Sequence, residues 1–328
     1  MSTWTRVNRN QPCEACGKPD DCTRSGDGLI VKCMRVASDR KIQQSDGRTA
    51  YLHSVLKLGG TPVKSKPGKP PKRLTEKEII ALLKEHKTAL SPRRLEITAK
   101  NLGVSEKSLL AYGLGYDSNT DCVSAPMYDG SRKPIGIHLR GVTGKKMAVV
   151  GSRNGLFIPL DYSDEAIPVG VCDEDSPLLL LMPEGLSDCC AARDAGFRAI
   201  GRFSNAGGAD QIVSLLQQSV SLQDVVVVGE RDETKYDLHG VPYWPGIEGA
   251  LQICDELIRL KAKCSRLRFL MPPVGVGKDL REWLGKDCPI TEFLYQVRMA
   301  SVVSPAWLRA ARARIVQRKK NERKAVPA

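Results

Sequence analysis

No apolar run in this 328-residue sequence approaches the roughly 20 residues that a membrane-spanning helix requires. The amino terminus, Met-Ser-Thr-Trp-Thr-Arg, lacks the apolar core of a secretory signal, so a cytoplasmic protein is expected. No complete phosphate-binding loop is present either. Gly275-Val-Gly-Lys278 lacks the Gly-x4-Gly-Lys-Ser/Thr spacing and places Asp279 after the lysine, which excludes a nucleotide P-loop there. Acidic residues are the minority charge, with 37 Asp and Glu against 50 Lys and Arg, a formal net charge of +13. Such an excess points to a polyanionic partner, DNA or RNA first and an acidic membrane surface second. What is present is 41% apolar content, enough for the cores of two or three domains, and eleven cysteines. The odd count fits full disulfide pairing poorly, and clustered cysteines in a reducing compartment more often bind metal.

Four of them cluster near the amino terminus as Cys13-x2-Cys16-x5-Cys22, followed by a Gly-Asp-Gly turn at 26 to 28 and Cys33. A Cys-x2-Cys turn aims two thiolates at one ion, and the strand beyond the next turn returns the others, which is the build of a small zinc ribbon. Cys13, Cys16, Cys22 and Cys33 are the expected Zn²⁺ ligands, with Asp20 or Asp21 as competitors for the place of Cys22. So short a module cannot hold a core without the ion. Arg6, Arg9, Lys18, Arg24, Lys32 and Arg35 decorate it, either as phosphate contacts or as solvated surface charge. Tyr51 and His53 fit a strand that closes the module.

The stretch from Gly59 to Arg73, rich in proline, glycine and lysine, reads as an extended basic tether. A helix opens after it, with Thr75 as N-cap and Glu78 completing a capping box, and Ile79, Ile80, Leu82 and Leu83 on its apolar face. Segments 95 to 102 and 105 to 112 read as two further helices, a packing unit rather than a helix-turn-helix. From Cys122 the period turns strand-like, with turns at Asp129-Gly130 and Gly144 and a last strand at 155 to 160: a small antiparallel meander. Arg140, Lys145, Lys146, Ser152 and Arg153 fall at its strand ends and turns, placed to line a groove for template or triphosphate.

From Leu178 onward strand and helix alternate, which predicts a parallel sheet. Two wholly apolar runs end in acid: 178 to 182 runs into Pro-Glu184-Gly185, and 225 to 228 into Gly-Glu230-Arg-Asp232. A buried parallel strand that reads this way delivers carboxylates to the carboxyl edge of its sheet, and acids collected there suggest a Mg²⁺ site. Lys278-Asp279 then opens a helix through Leu-Arg-Glu-Trp283-Leu284. Tyr236, His239, Tyr243 and Trp244, between the second acidic turn and the next helix, either pack against the domain or cover the site. Residues 307 to 324 form a basic helical tail suited to nucleic acid.

The order of Glu184-Gly185, then Glu230-x-Asp232, then Lys278-Asp279 before Leu-x-x-Trp-Leu resembles the Toprim domain of bacterial and phage DNA primases. The meander is similar to the preceding subdomain of those enzymes at Pro126 to Asp129, Gly136 to Arg140, Lys145-Lys146 and Leu156-Phe157, and an amino-terminal zinc module completes the order. The resemblance implies a multidomain α/β protein: a zinc-binding module at 1–58, a basic linker at 59–75, an α+β primase-type subdomain at 76–165, a Rossmann-like Toprim domain at 166–300 and a helical tail at 301–328. It also implies synthesis of short RNA primers from ribonucleoside triphosphates on single-stranded DNA, beside a separate replicative helicase, in a bacterial or phage-infected cell. By resemblance Glu184 is metal-linked or the general base, Glu230 and Asp232 hold Mg²⁺, Asp279 is an auxiliary acid and Lys278 contacts phosphate. The chain departs from the family's Asp-x-Asp by having Glu230 in the first place. A metal-dependent nuclease and a non-catalytic DNA-binding replication factor of a mobile element are the alternative functions.

Overall fold

The computed structural model describes residues 4–38, 40–43, 49–56, 59, 72–142, 144–162, 178–219, 223–236, 242–285 and 288–325. The chain divides into two units: residues 1–71, 235–243 and 322–328 form one, and 72–234 with 244–321 the other.

In the first unit, strands β1 (Trp4–Arg6), β2 (Thr23–Ser25), β3 (Ile30–Cys33), β4 (Lys41–Gln43) and β5 (Thr49–Ser54) form an antiparallel sheet in the order β1-β2-β3-β5-β4. β5 closes it as expected, with Tyr51 buried and the His53 ring nitrogen 2.9 Å from the Val36 carbonyl. Its buried apolar cluster is little more than Val7, Val31, Val55 and the cysteines. Most of the expected tether lies outside the described residues.

The second unit begins with helices α1 (Glu76–Ala89), α2 (Pro92–Leu102) and α3 (Glu106–Ala111). The capping box forms: Thr75 N–H donates to Glu78 at 2.7 Å, and Glu78 N–H to the Thr75 hydroxyl at 3.3 Å. α3 is a packing element, since the side chain of Asp194 accepts the Ser105 N–H at 2.7 Å and the Ser108 hydroxyl at 2.6 Å. Strands β6 (Gly115–Asp117), β7 (Cys122–Tyr128), β8 (Pro134–Gly141) and β9 (Lys146–Ala148) form the meander in sequence order. The strand expected at 155 to 160 forms no ladder. Leu156 bridges Tyr128, while Phe157 exchanges both backbone hydrogen bonds with Gly201 at 2.9 Å, so the segment staples the meander to the next sheet.

That sheet alternates with helices in the order β10 (Leu178–Met182), α4 (Leu186–Asp194), β11 (Arg198–Ala199), α5 (Ala209–Gln218) and β12 (Gln223–Val228). The hairpin of β13 (Lys235–Tyr236) and β14 (Pro242–Tyr243) belongs to the first unit. After it come α6 (Pro245–Arg259), β15 (Arg266–Leu270), α7 (Leu280–Leu284), α8 (Ile290–Met299), β16 (Ser301–Val302) and α9 (Pro305–Ala325). Strand order is β11-β10-β12-β15-β16, parallel except for β16, a strand the sequence pattern did not reveal. Both faces are buried, as continuous apolar runs require. Leu181, Val226 and Val228 face α4, α7 and α8, whereas Leu180, Val225 and Val227 face α5, α6 and α9. From β10 the chain goes first to β11 on one side and then to β12 on the other. This makes the carboxyl end of β10 the switch point, where crevices form in open α/β sheets. Among the described residues no helix is long and apolar enough to cross a membrane.

Candidate active site

β10 ends at Met182, and Pro183-Glu184-Gly185 turns the chain into α4. Gly185 has φ +83°, a left-handed conformation that a residue with a Cβ resists, and the nearest side-chain atom outside is the Lys146 ammonium. Two residues beyond β12, Glu230 leaves the same edge. Asp279 caps α7, accepting the Glu282 N–H at 2.8 Å. Asp188, in the first turn of α4, is 3% exposed and accepts the Arg281 N–H at 2.9 Å. Asp188, Glu230 and Asp279 each offer a carboxylate oxygen, all within 4.8 Å of one another.

The sequence-assigned residues therefore separate. Glu230 and Asp279 lie in this acidic cluster, and Asp188, which no motif singled out, completes it. Asp232 turns aside, accepting the Gly246 N–H at 2.8 Å and pairing with the Lys278 ammonium at 3.1 Å. Lys278 also reaches Glu230 at 3.9 Å, so one protein cation stands between the two acids. Glu184 is half-buried, and its Oε2 has no hydrogen-bond partner among the described residues. Arg140 and Lys146, opposite one another on β8 and β9, lie in the electrostatic field of the acids, Arg140 with Asp188 and Asp279, Lys146 with Glu184. Lys145 is exposed at the β8–β9 turn. Arg153 borders a different hollow with Asp129 and Asp210, and the Ser152 hydroxyl is engaged by the Ile137 N–H at 3.0 Å. Of the aromatic segment, Trp244 is buried, its indole N–H on the Thr234 hydroxyl at 3.0 Å and the Arg318 guanidinium 3.8 Å from its ring centroid, a packing role. His239 lies outside the described residues.

Crowding acids away from water opposes their ionisation. Burial, then the neighbouring Glu184, pushes Glu230 up to about 7. Burial and then Asp279 hold Asp188 well above the usual carboxyl range. Burial raises Glu184 too, with Arg202 and Lys146 pulling the other way. Three carboxylates that resist ionisation together, with an ammonium beside them, fit a hard divalent cation, whose charge would relieve their repulsion. Beside Arg140 opens a cavity of about 480 Å³, where the Arg94 guanidinium lies 3.7 Å from the Tyr116 ring centroid and is held by Asp121 at 3.0 Å.

In the first unit the sulfurs of Cys13, Cys16, Cys22 and Cys33 lie within 4.8 Å of one another. Cys16 to Cys22 is 3.7 Å and Cys22 to Cys33 is 3.8 Å. A tetrahedral ion with Zn–S bonds of roughly 2.3 Å puts its sulfurs about 3.8 Å apart, so the cluster fits Zn²⁺. Cys33 accepts the Val36 N–H at 3.1 Å and the Arg35 N–H at 3.3 Å, backbone donors of the kind that steady a metal-bound thiolate. Asp20 and Asp21 are not competitors, since Arg35 binds them at 2.6 and 2.9 Å. Arg24, expected on the surface, is 4% exposed and tied to Gln11, Pro12 and Glu14.

A four-cysteine ribbon, an α+β meander unit and a parallel sheet with acids at its switch point together make the fold of bacterial- and phage-type primases. The zinc-binding and RNA polymerase domains of the Aquifex aeolicus primase superpose with a TM-score of 0.52 at 14% identity, over 94% of this chain and 83% of that one. The E. coli primase catalytic core gives 0.50 at 16% identity, over 69% of this chain and 80% of that one. No protein-family model matches the sequence, and no curated protein does.

Proposed function

We propose that this chain is a DNA primase, a nucleotidyltransferase that joins ribonucleotides into short RNA primers on single-stranded DNA. The observation that carries the reading is the meeting of Asp188, Glu230 and Asp279 at the switch point of a primase-fold sheet, flanked by Glu184. The domain layout follows that of the family: zinc module 1–58, linker 59–75, primase-type subdomain 76–165 and a Toprim domain from 166, whose sheet and core also take in the start of the basic segment 301–328. Asp188, Glu230 and Asp279 would hold Mg²⁺, with Glu184 and Asp232 bordering it. Bound there, the ion would lower the pKa of an attacking hydroxyl and neutralise charge on the pyrophosphate.

Glu184, raised by burial, is the group suited to accept that hydroxyl's proton. Lys278, Arg140 and Lys146 bind the triphosphate, and the cavity beside Arg140 takes the nucleoside. Lys278 is held protonated: burial, the largest influence, lowers its pKa, but the hydrogen bond to Asp232 and the charges of Glu230, Asp232 and Asp279 together raise it. The zinc module and basic surface hold the template, a separate helicase unwinds the duplex, and the protein works in the cytoplasm.

The test is de novo dinucleotide synthesis on single-stranded DNA by the purified chain with Mg²⁺. Glu184→Ala and Asp232→Ala should each reduce it at least a hundredfold; undiminished synthesis in both would end the assignment. The same reaction without nucleotides, on labelled DNA, exposes a nuclease. Salt-sensitive binding without either product marks a non-catalytic DNA-binding factor.

A further inference from the structure

Glu184 and Glu230 leave neighbouring strands, and one buried side chain ties the two strand ends together. Arg202 follows β11, and its backbone extends the ladder beside the first acidic turn. Its N–H donates to the Pro183 carbonyl at 3.0 Å and its carbonyl accepts the Gly185 N–H at 2.8 Å, making it the bridge partner of Glu184. The side chain then turns under the sheet edge, and the residue is 1% exposed. Nε donates to the Met182 carbonyl at 3.3 Å, Nη2 to the Val228 carbonyl at 2.8 Å, and Nη1 to the Asn205 carbonyl. Met182 and Val228 are the last residues of β10 and β12, each two positions before its glutamate. A single planar fork thus grips both strand ends and the loop before α5, a geometry that an ammonium cannot reproduce.

Packing alone does not explain an arginine here. Among the described residues no carboxylate hydrogen-bonds to this guanidinium; Glu184 and Glu230 reach it only through their charge, and a cation buried this way is costly, so an apolar side chain would fill the space more favourably. What an apolar side chain cannot do is fix two carbonyl ends at a set spacing.

We propose, on the divalent-cation reading of the acids, that Arg202 is the positioning residue of the acidic site: by clamping the carboxyl ends of β10 and β12 it sets the separation at which Glu184 and Glu230 face the ion. Two other roles predict different results. A pure counter-charge is kept by Arg202→Lys and lost in Arg202→Gln, so the first leaves cation binding unchanged and the second tightens it. A packing role lowers thermal stability in both variants and leaves cation binding alone.

The experiment is Mn²⁺ titration of the zinc-loaded full chain, following free Mn²⁺ by electron paramagnetic resonance, with folding checked by thermal denaturation and zinc content. The clamp requires both Arg202→Lys and Arg202→Gln to weaken Mn²⁺ binding at least tenfold and to shrink the rise in Tm that Mn²⁺ produces. Affinities within twofold of the parent, or tighter binding in Arg202→Gln, overturn it. If Arg202→Gln does not fold, Arg202→Lys decides alone, because losing the fork must weaken binding even with the charge kept. A parent chain that binds no Mn²⁺ overturns the cation site and the clamp together, whereas a binding parent with unchanged variants overturns the clamp only.

Discussion

Replacing Asp188 by asparagine separates a metal ligand from a helix cap. The side chain accepts the Arg281 N–H at the start of α7, so its bland role is to satisfy one orphan donor, worth about 1 kcal/mol. Asparagine retains an oxygen for that bond and nearly the same volume. It removes a charge from a cluster whose carboxylate oxygens lie within 4.8 Å of one another. At an effective dielectric constant of about 20, two full charges at that spacing repel by roughly 3 kcal/mol. Asp188 resists ionisation because of burial and then Asp279, so the cost of charging it appears as the pH rises above the ordinary carboxyl range. Only part of the repulsion is therefore realised near neutrality. Without divalent cations, Asp188→Asn should equal the parent in stability or exceed it by about 1–2 kcal/mol at pH 8, with the difference vanishing towards pH 4. With Mn²⁺ the order should reverse, because binding weakens at least a hundredfold, about 2.8 kcal/mol. Urea denaturation in metal-free and Mn²⁺-containing buffer reads both quantities. A variant that loses stability in metal-free buffer yet binds Mn²⁺ like the parent would leave Asp188 as a cap and nothing more.

In the first unit, Cys33→Ser should abolish zinc retention and unfold the module, whose apolar cluster is too small to stand without the ion, while the second unit keeps its own transition; two transitions unchanged in calorimetry would contradict this. His138 lies on β8 beside a water-sized cavity of about 20 Å³ with Arg140 and Lys146, and burial, then those two cations, lowers it to about 4. A depressed imidazole contributes stability that is present above the unfolded value near 6.5 and is lost as pH falls towards 4, about 3 kcal/mol in all. His138→Gln should flatten that acid limb in melts between pH 7.5 and 4.5, and an unaltered slope would count against it.

Much of this was written in local pattern. The Cys-x2-Cys turn, the capping box of Thr75 and Glu78, and the apolar runs of β10 and β12 are short-range signals, and each forms the element it predicts. Asp188 escaped because its meaning is tertiary. One turn into α4 it reads as an ordinary helical acid until α7 brings Asp279 beside it. A signal did exist: four residues after Glu184, an acid in the first turn of the following helix stays at the same sheet edge. β16 escaped because two residues after a helix carry no period of their own. Arg202 escaped because a charge near a strand end reads as solvated, and only its three carbonyl partners identify it as buried structure. Lys145, Lys146 and Arg153 looked alike in the sequence; strand register places Lys146 opposite Arg140 and in the field of Glu184, whereas Lys145 stays in the turn and Arg153 borders another hollow.

Register also bears on the glutamate that stands where the resembling family has aspartate. A glutamate is one methylene longer than an aspartate, but the backbone around it has little freedom. Arg231 N–H is bonded to the Lys278 carbonyl at 2.7 Å, and Asp232 holds the Gly246 N–H. Gly246 packs so closely that a Cβ on it would lie 2.4 Å from the Glu230 carbonyl oxygen and 2.8 Å from the Glu230 Cβ. With the main chain pinned on both sides, the Glu230 carboxylate meets Asp188 of α4 and Asp279 at the start of α7. Asp232, left at the shorter reach, pairs with Lys278 instead. The acidic cluster is thus centred on Asp188, Glu230 and Asp279, with Asp232 held beside it by Lys278 and the Gly246 N–H.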